Sequence, residues 1–118
     1  MTVRRIVPDI KSNRLEESRI FYVDFLGLRV AMDLGWIVTF VSPTNPTAQI
    51  SLMRDDNPST LLLNVSIEVA DVDEVHARAI EHGLQIVYPL TNEPWGIRRF
   101  FVVDPNGVIL NVSSHAQR

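Results

Sequence analysis

The chain of 118 residues contains no cysteine, no excess of basic residues and no long apolar run. Without cysteine, disulfides, thiolate catalysis, zinc fingers and iron–sulfur clusters are excluded. The 11 Lys and Arg stand against 14 Asp and Glu, and this net charge of −3 argues against a general nucleic-acid binder. The apolar runs are too short for a membrane span or a signal-peptide core. We therefore expect a cytoplasmic domain with its own core, and neither nucleic acid nor membrane as a partner.

Two helices are predicted from their capping patterns. The first begins at Asn13 and the second at Asp71, each with a glutamate three residues later, as in a capping box. They end at Gly27 and Gly83, where glycine suits the left-handed residue that follows a helix. These glycines are 56 positions apart, close to half the chain, which indicates an internal repeat.

Strand-like runs recur in the same order around both helices. One run precedes each helix and three follow it, so that each half of the chain reads as βαβββ. We predict an α+β fold with one domain over residues 1–118, built from two tandem modules at about 3–54 and 61–113 with a linker at about 55–60. Alternating apolar and polar residues in the strands predict curled mixed sheets around a concave, half-polar cleft.

Two longer stretches carry a family resemblance. The run FYVDFLGLRV, which follows the start of the first helix, and the run RRFFVVDPNGVILNV near the end resemble the vicinal oxygen chelate superfamily. That superfamily includes glyoxalase I, extradiol dioxygenases, fosfomycin-resistance enzymes and bleomycin-resistance proteins. The segment Glu93-Pro94-Trp95-Gly96, followed by Arg99-Phe100, is similar to the closing segment of bleomycin-resistance proteins. The resemblance implies the glyoxalase/bleomycin resistance/dihydroxybiphenyl dioxygenase fold and a homodimer.

The resemblance also implies four positions at which the enzymes of the superfamily hold a divalent metal. They fall at Val7, Ser51, Asn64 and Asn111. Valine cannot ligate a metal, and serine and asparagine are weak neutral donors. We therefore expect no metal, no other cofactor and no assigned catalytic residue, because the Lewis acid of the enzymes would be missing. The closest branch is then the metal-free, bleomycin-resistance-like one, in which a small molecule such as an antibiotic is sequestered.

The candidate ligand-binding residues are those expected on the polar strand faces or in loops beside them. They are Trp95, Asn64, Asn111, Ser51, Trp36, Asp9, Glu68, Arg98 and Arg99. Trp95 lies in a loop between proline and glycine, where a flat ring suits stacking on a heteroaromatic molecule. Because Arg98 and Arg99 are adjacent, one faces the cleft and the other does not, and periodicity leaves both assignments open.

Three functions remain open at the level of sequence. The first is a protein that binds a small organic molecule, aromatic or cationic, without a metal. The second is a metal-dependent lyase, isomerase or dioxygenase with a relocated site that uses Asp9 and Glu68. The third is an interaction module whose cleft has no ligand. A structural role for Glu68 is an ion pair with Lys11.

Overall fold

The structure, a computed structural model, describes residues 2–54 and 64–115. Its contacts divide the chain into a first unit, Val7–Leu62, and a second unit, Met1–Ile6 with Leu63–Arg118. The first residues of the chain thus belong with its second half, and the Ala70 amide donates to the Thr2 carbonyl at 2.9 Å. The predicted linker lies outside the described residues.

The first unit contains one strand, a helix and three further strands. Its elements are β1 (Val3–Ser12, whose first residues belong to the second unit), α1 (Leu15–Ile20) with a π-helical segment (Phe21–Phe25), β2 (Arg29–Asp33), β3 (Ile37–Val41) and β4 (Gln49–Arg54). The strand order is β2-β3-β4-β1, with β1 parallel to β4 and the other pairs antiparallel. This is the predicted βαβββ arrangement.

The core of the first unit lies on the helix side of its sheet. Phe40 and Leu52 are buried there, and the helical segment contributes Leu15, Tyr22 and Val23. The rings of Tyr22 and Phe40 stack with their centroids 5.3 Å apart. The other face of this sheet is mixed, as the predicted half-polar character requires: it carries Thr39 and Ser51 together with the buried apolar residues Val41 and Met53.

The predicted start of the first helix is wrong. The residue that precedes the helix is Arg14 rather than Asn13, and no side chain caps the helix through a hydrogen bond. Instead, the Ser12 hydroxyl accepts from the Arg14 amide at 2.9 Å. The helix also changes to π geometry, with the Leu26 amide bonding to the Phe21 carbonyl five residues back. The helical spacing of Phe25 from Leu15 and Tyr22 predicts a place on the buried stripe, but Phe25 is 73% exposed.

The second unit repeats the arrangement. Its elements are β5 (Val65–Val69), α2 (Val72–Glu81), β6 (Ile86–Asn92), β7 (Ile97–Val103) and β8 (Ile109–His115). The strand order is β5-β8-β7-β6, and of these pairs only β5 and β8 are parallel. Two βαβββ units with one sheet each confirm the predicted α+β fold class.

Helix α2 begins and ends where the sequence predicts. The Asp71 carboxylate accepts from the amides of Asp73 and Glu74 at 3.1 and 3.2 Å, and Gly83 follows the helix with φ of 66°. The helix packs on one face of the second sheet. The core there comprises Val69, Val72, Ala79, Phe100, Val102 and Val112.

Strand β6 is longer than predicted and begins later. The sequence indicates a strand over residues 84–88 that ends before Pro89, whereas β6 runs from Ile86 to Asn92. A proline is tolerated because β6 pairs only with β7 among the described strands, and the pairing is irregular on both sides of Tyr88. This extension places the short loop that follows β6 beside the start of β7.

Among the described residues, no helix has the length and apolar character needed to cross a membrane.

Candidate functional site

One face of the second sheet carries most of the polar candidates. We call it the open face because α2 packs on the opposite face; several of its side chains are nevertheless buried. Strand pairing places two rows of side chains across it, because residues at even spacing share one face. One row contains Ser66, Asn111, Phe101 and Tyr88, and the other contains Glu68, Ser113, Arg99 and Thr91.

A buried ion pair lies at the centre of the open face. Arg99 Nε donates to Glu93 Oε2 at 2.7 Å, and each of the two side chains is only 9% exposed. The Tyr88 hydroxyl donates to the same Glu93 oxygen at 2.9 Å. Glu93 follows β6 directly, and the tight turn from Glu93 to Ile97 holds it beside β7.

Three aromatic rings surround the guanidinium of this pair. Arg99 Cζ lies 4.9, 5.2 and 5.4 Å from the ring centroids of Phe101, Trp95 and Tyr88. These separations are within cation–π range. Tyr88 and Phe101 also stack on each other at 4.5 Å, whereas Trp95 remains 39% exposed. We call these five residues the arginine cluster: Tyr88, Glu93, Trp95, Arg99 and Phe101.

The structure decides between the two adjacent arginines. Arg99 lies on the open face, and Arg98 lies on the α2 face, where its guanidinium donates to Asp73 at 2.8 Å and to Asn92 at 3.1 Å. These hydrogen bonds lower the pKa of the Asp73 carboxyl and raise the pKa of Arg98, since each favours the charged form of its partner. Arg98 is therefore not part of the candidate site.

Asn111 lies beside the cluster, opposite Phe101 on the neighbouring strand. Its side-chain nitrogen donates to the Ser66 hydroxyl at 3.0 Å, and the residue is 8% exposed. Its side-chain oxygen is buried and has no hydrogen-bond partner. A buried acceptor without a donor is energetically unfavourable, so Asn111 offers an acceptor that a ligand could satisfy.

Two other candidates of the second unit have partners within it. Glu68 forms an ion pair with Arg5, a partner that the sequence did not predict, and its second oxygen lies 3.6 Å from His115 Nε2. The Asn64 side chain accepts from the Ile109 amide at 2.9 Å and thereby holds the start of β8. Both contacts favour structural roles.

The remaining candidates belong to the first unit. Asp9 and Ser51 face each other in the pairing of β1 with β4, and both are buried. The Ser51 hydroxyl is 2.7 Å from the Thr39 hydroxyl, and one of the two donates to the other. Trp36 lies immediately before β3 rather than in it, and its carbonyl accepts from the Arg54 amide at 2.9 Å.

The residues present do not fit a divalent transition metal. Of the four positions that the resemblance implies, Val7 is a buried apolar side chain, and Ser51, Asn64 and Asn111 offer only neutral oxygens. Across residues 2–54 and 64–115, no three histidine, aspartate or glutamate side chains are close enough together to hold an ion.

Sequence reasoning did not select Glu93 and Phe101 as functional residues. Phe101 lies two positions after Arg99 in β7, and this spacing places both side chains on one face of the strand. Glu93 directly precedes the Pro94-Trp95-Gly96 turn, and this position beside the exposed tryptophan was the available signal.

Comparison with known proteins supports this fold. The sequence model of one family, described as a glyoxalase-like domain, matches residues 6–117. No curated protein sequence matches the chain.

Several solved structures share the architecture. A glyoxalase/bleomycin resistance protein/dioxygenase superfamily member from Vibrio splendidus has 21% identity and a TM-score of 0.71, over 96% of this chain and 99% of that one. Methylmalonyl-CoA epimerase from Mycobacterium tuberculosis has 19% identity and a TM-score of 0.71, over 98% and 88%. The Mn(II)-bound glyoxalase from Novosphingobium aromaticivorans has 20% identity and a TM-score of 0.64, over 98% of this chain and 40% of that one. At these identities the likeness shows the fold alone.

Proposed function

Because this chain belongs to the glyoxalase-like domain family, we propose that it uses the family's fold to bind a small aromatic molecule without a divalent metal. The binding surface is the open face of the second sheet. Capture of the molecule, rather than its conversion, is the proposed task, and an aromatic antibiotic is the proposed cargo.

The arginine cluster is the observation that carries this proposal. It combines an exposed tryptophan ring with a guanidinium that is held in place by Glu93 and by two further rings. A flat, partly exposed ring offers a large contact area for another aromatic group, and the guanidinium supplies directional donors next to it. Binding sites of small molecules commonly combine apolar walls with a few fixed polar groups in this way.

The alternative is a metal-dependent lyase, isomerase or dioxygenase with a relocated site. Such an enzyme needs carboxylate or imidazole ligands, and Val7, Ser51, Asn64 and Asn111 do not supply them. The described residues offer no other group of suitable donors, and therefore we favour binding over catalysis.

A thermal-shift screen of aromatic natural products, with bleomycin-type glycopeptides among them, tests the proposal. We expect at least one compound to raise the melting temperature, since a ligand that binds only the native state stabilises it. Trp95→Leu should then lower the affinity for that compound by about tenfold, as expected when an aromatic contact is lost. Arg98→Gln is the matched control on the opposite sheet face and should leave the affinity unchanged.

Two results contradict the proposal. One is a screen in which no aromatic compound stabilises the protein. The other is one transition-metal ion per chain in protein purified without chelators, together with an activity that chelation abolishes, which would establish the enzymatic alternative.

We also propose that the protein is a homodimer. Four apolar side chains of the first helical segment, Ile20, Phe21, Phe25 and Leu26, are 49–73% exposed. Together they expose on the order of 400 Å² of apolar surface, an area that marks interaction sites on soluble proteins. This is also close to the apolar share of the roughly 800 Å² that each partner buries in a standard interface. A second copy of the chain is the proposed occupant.

A further inference from the structure

The charge balance of the arginine cluster bears on the chemical class of the ligand. Arg99 and Glu93 form a pair with no net charge, and both side chains are almost completely buried. Glu93 also accepts from Tyr88, so that its Oε2 atom takes two hydrogen bonds. A ligand that contacts Arg99 therefore contacts a cation whose positive charge is already balanced by the Glu93 carboxylate.

The hydrogen-bonding capacity of Arg99 is only partly used. A guanidinium carries five N–H donors, of which the one on Nε is directed at Glu93. Within residues 2–54 and 64–115, the structure shows no acceptor for the terminal nitrogens. The three rings near Cζ attract the cation; Phe101 and Trp95 carry no oxygen acceptor, and the Tyr88 hydroxyl is engaged as a donor to Glu93. The terminal N–H groups of Arg99 are thus available to an acceptor that a ligand supplies.

We infer that the ligand presents a neutral, planar carbonyl group to Arg99, with its aromatic ring beside Trp95; this inference rests on the proposed function. A cationic group at this position would be repelled by the guanidinium. A carboxylate would add a negative charge that Glu93 has already supplied, and an unmatched charge is costly in a site with so little exposure. A carbonyl oxygen accepts from the guanidinium without adding charge. The aromatic carboxamide is the class that fits.

Asn111 gives independent support for a carboxamide over a ketone or an ester. Its side-chain oxygen is buried without a donor, on the same sheet face and directly across from Phe101. A primary carboxamide carries an N–H donor next to its carbonyl oxygen. Such a group supplies both an acceptor for Arg99 and a donor of the kind that Asn111 lacks.

Three probes with the same ring and different charges test the inference: 2-naphthamide, 2-naphthoate and 2-naphthylmethylammonium. We expect the wild-type protein to bind the amide about tenfold more tightly than either charged probe, as measured by calorimetry at neutral pH. In Glu93→Gln the matching negative charge is removed, and 2-naphthoate should become the tightest ligand. Asp73→Asn makes the same charge change beside Arg98 on the opposite sheet face and should leave the order unchanged.

The outcomes separate this inference from the proposed function. If the wild-type protein prefers the carboxylate or the ammonium probe, or binds none of the three while a compound from the aromatic screen does bind, the ligand class is wrong and the binding function remains. If Glu93→Gln folds but keeps the amide preference, charge balance does not set the order and the inference is overturned. The wild-type order decides the question by itself if Glu93→Gln does not fold.

Discussion

Arg99 and Glu93 form an ion pair with an Nε–Oε2 distance of 2.7 Å, and each side chain is 9% exposed. The pair connects β7 to the loop after β6 and lies under the rings of Trp95 and Tyr88. Buried pairs of this kind stabilise little relative to apolar residues of similar size, but the loss of one partner leaves a charge without compensation.

Replacement of Arg99 alone should therefore be more harmful than replacement of the whole pair. We expect Arg99→Met to lower the free energy of unfolding by about 3–5 kcal/mol, and the double variant Arg99→Met/Glu93→Leu to recover most of that loss. Urea unfolding of both proteins measures the difference. Arg98→Met, in the exposed pair on the other face, should have a much smaller effect. A double variant no more stable than Arg99→Met would contradict this account.

The two helix starts offer a direct comparison. Asp71→Ala should destabilise the protein by about 1 kcal/mol, because it removes the acceptor of two backbone amides at the start of α2. Asn13→Ala should have no measurable effect, since Asn13 does not cap α1. Thermal and urea unfolding of the two variants suffice, and equal losses would show that Asn13 is a cap after all.

The proposed dimer predicts a change of mass after one substitution. Phe25→Glu places a charge in the exposed apolar surface and should convert a dimer into a monomer in light scattering at micromolar concentration. Ile80→Glu is the matched control, since Ile80 is 60% exposed on α2 and should leave the mass unchanged. A wild-type protein that is itself monomeric under these conditions would refute the dimer.

The turn between β7 and β8 should contribute to acid sensitivity. The pKa of Asp104 is lowered, chiefly because its carboxylate accepts from the Val108 amide and further from Asn106. A carboxyl with a lower pKa in the folded state adds stability at pH values above its unfolded pKa of about 4, and that stability is lost as the pH falls through the folded value.

Asp104→Asn should accordingly melt at a lower temperature than the wild type at pH 7. The difference should shrink steadily below about pH 4, where the wild-type carboxyl becomes protonated. Melting temperatures between pH 7 and pH 2.5 test this, and parallel curves for the two proteins would show that Asp104 does not contribute.

The periodic parts of the fold could be predicted from sequence. Strand alternation predicts that Ile67, Leu52 and Val112 lie on the apolar faces, where the structure has them, and the Asp71 cap and Gly83 correctly predict the two ends of α2. These features depend on residues that are close along the chain, and therefore short sequence patterns predict them. Trp95 was selected for the same reason, since the turn around it is local.

The features that the sequence left open or did not predict depend on contacts between distant residues. The choice between Arg98 and Arg99 requires the register of β7 against β8, which places Arg99 opposite Ser113. Glu93 became a partner of Arg99 only because β6 continues past Pro89. The π-helical turn, within which Phe25 is exposed, likewise has no capping or spacing signal in the sequence. The concave cleft, the metal-free site and the dimer stay predictions.

Pro89 has a further consequence for the behaviour of the protein at high concentration. Among the described strands β6 pairs with β7 alone and forms an edge of the sheet; Pro89 leaves this edge strand with one amide fewer, and the pairing around it is irregular. Such an edge is a poor template for a strand from another molecule. We expect the second sheet to resist the strand-by-strand growth that leads to fibrils, even though the apolar residues next to Pro89 in the sequence favour β structure.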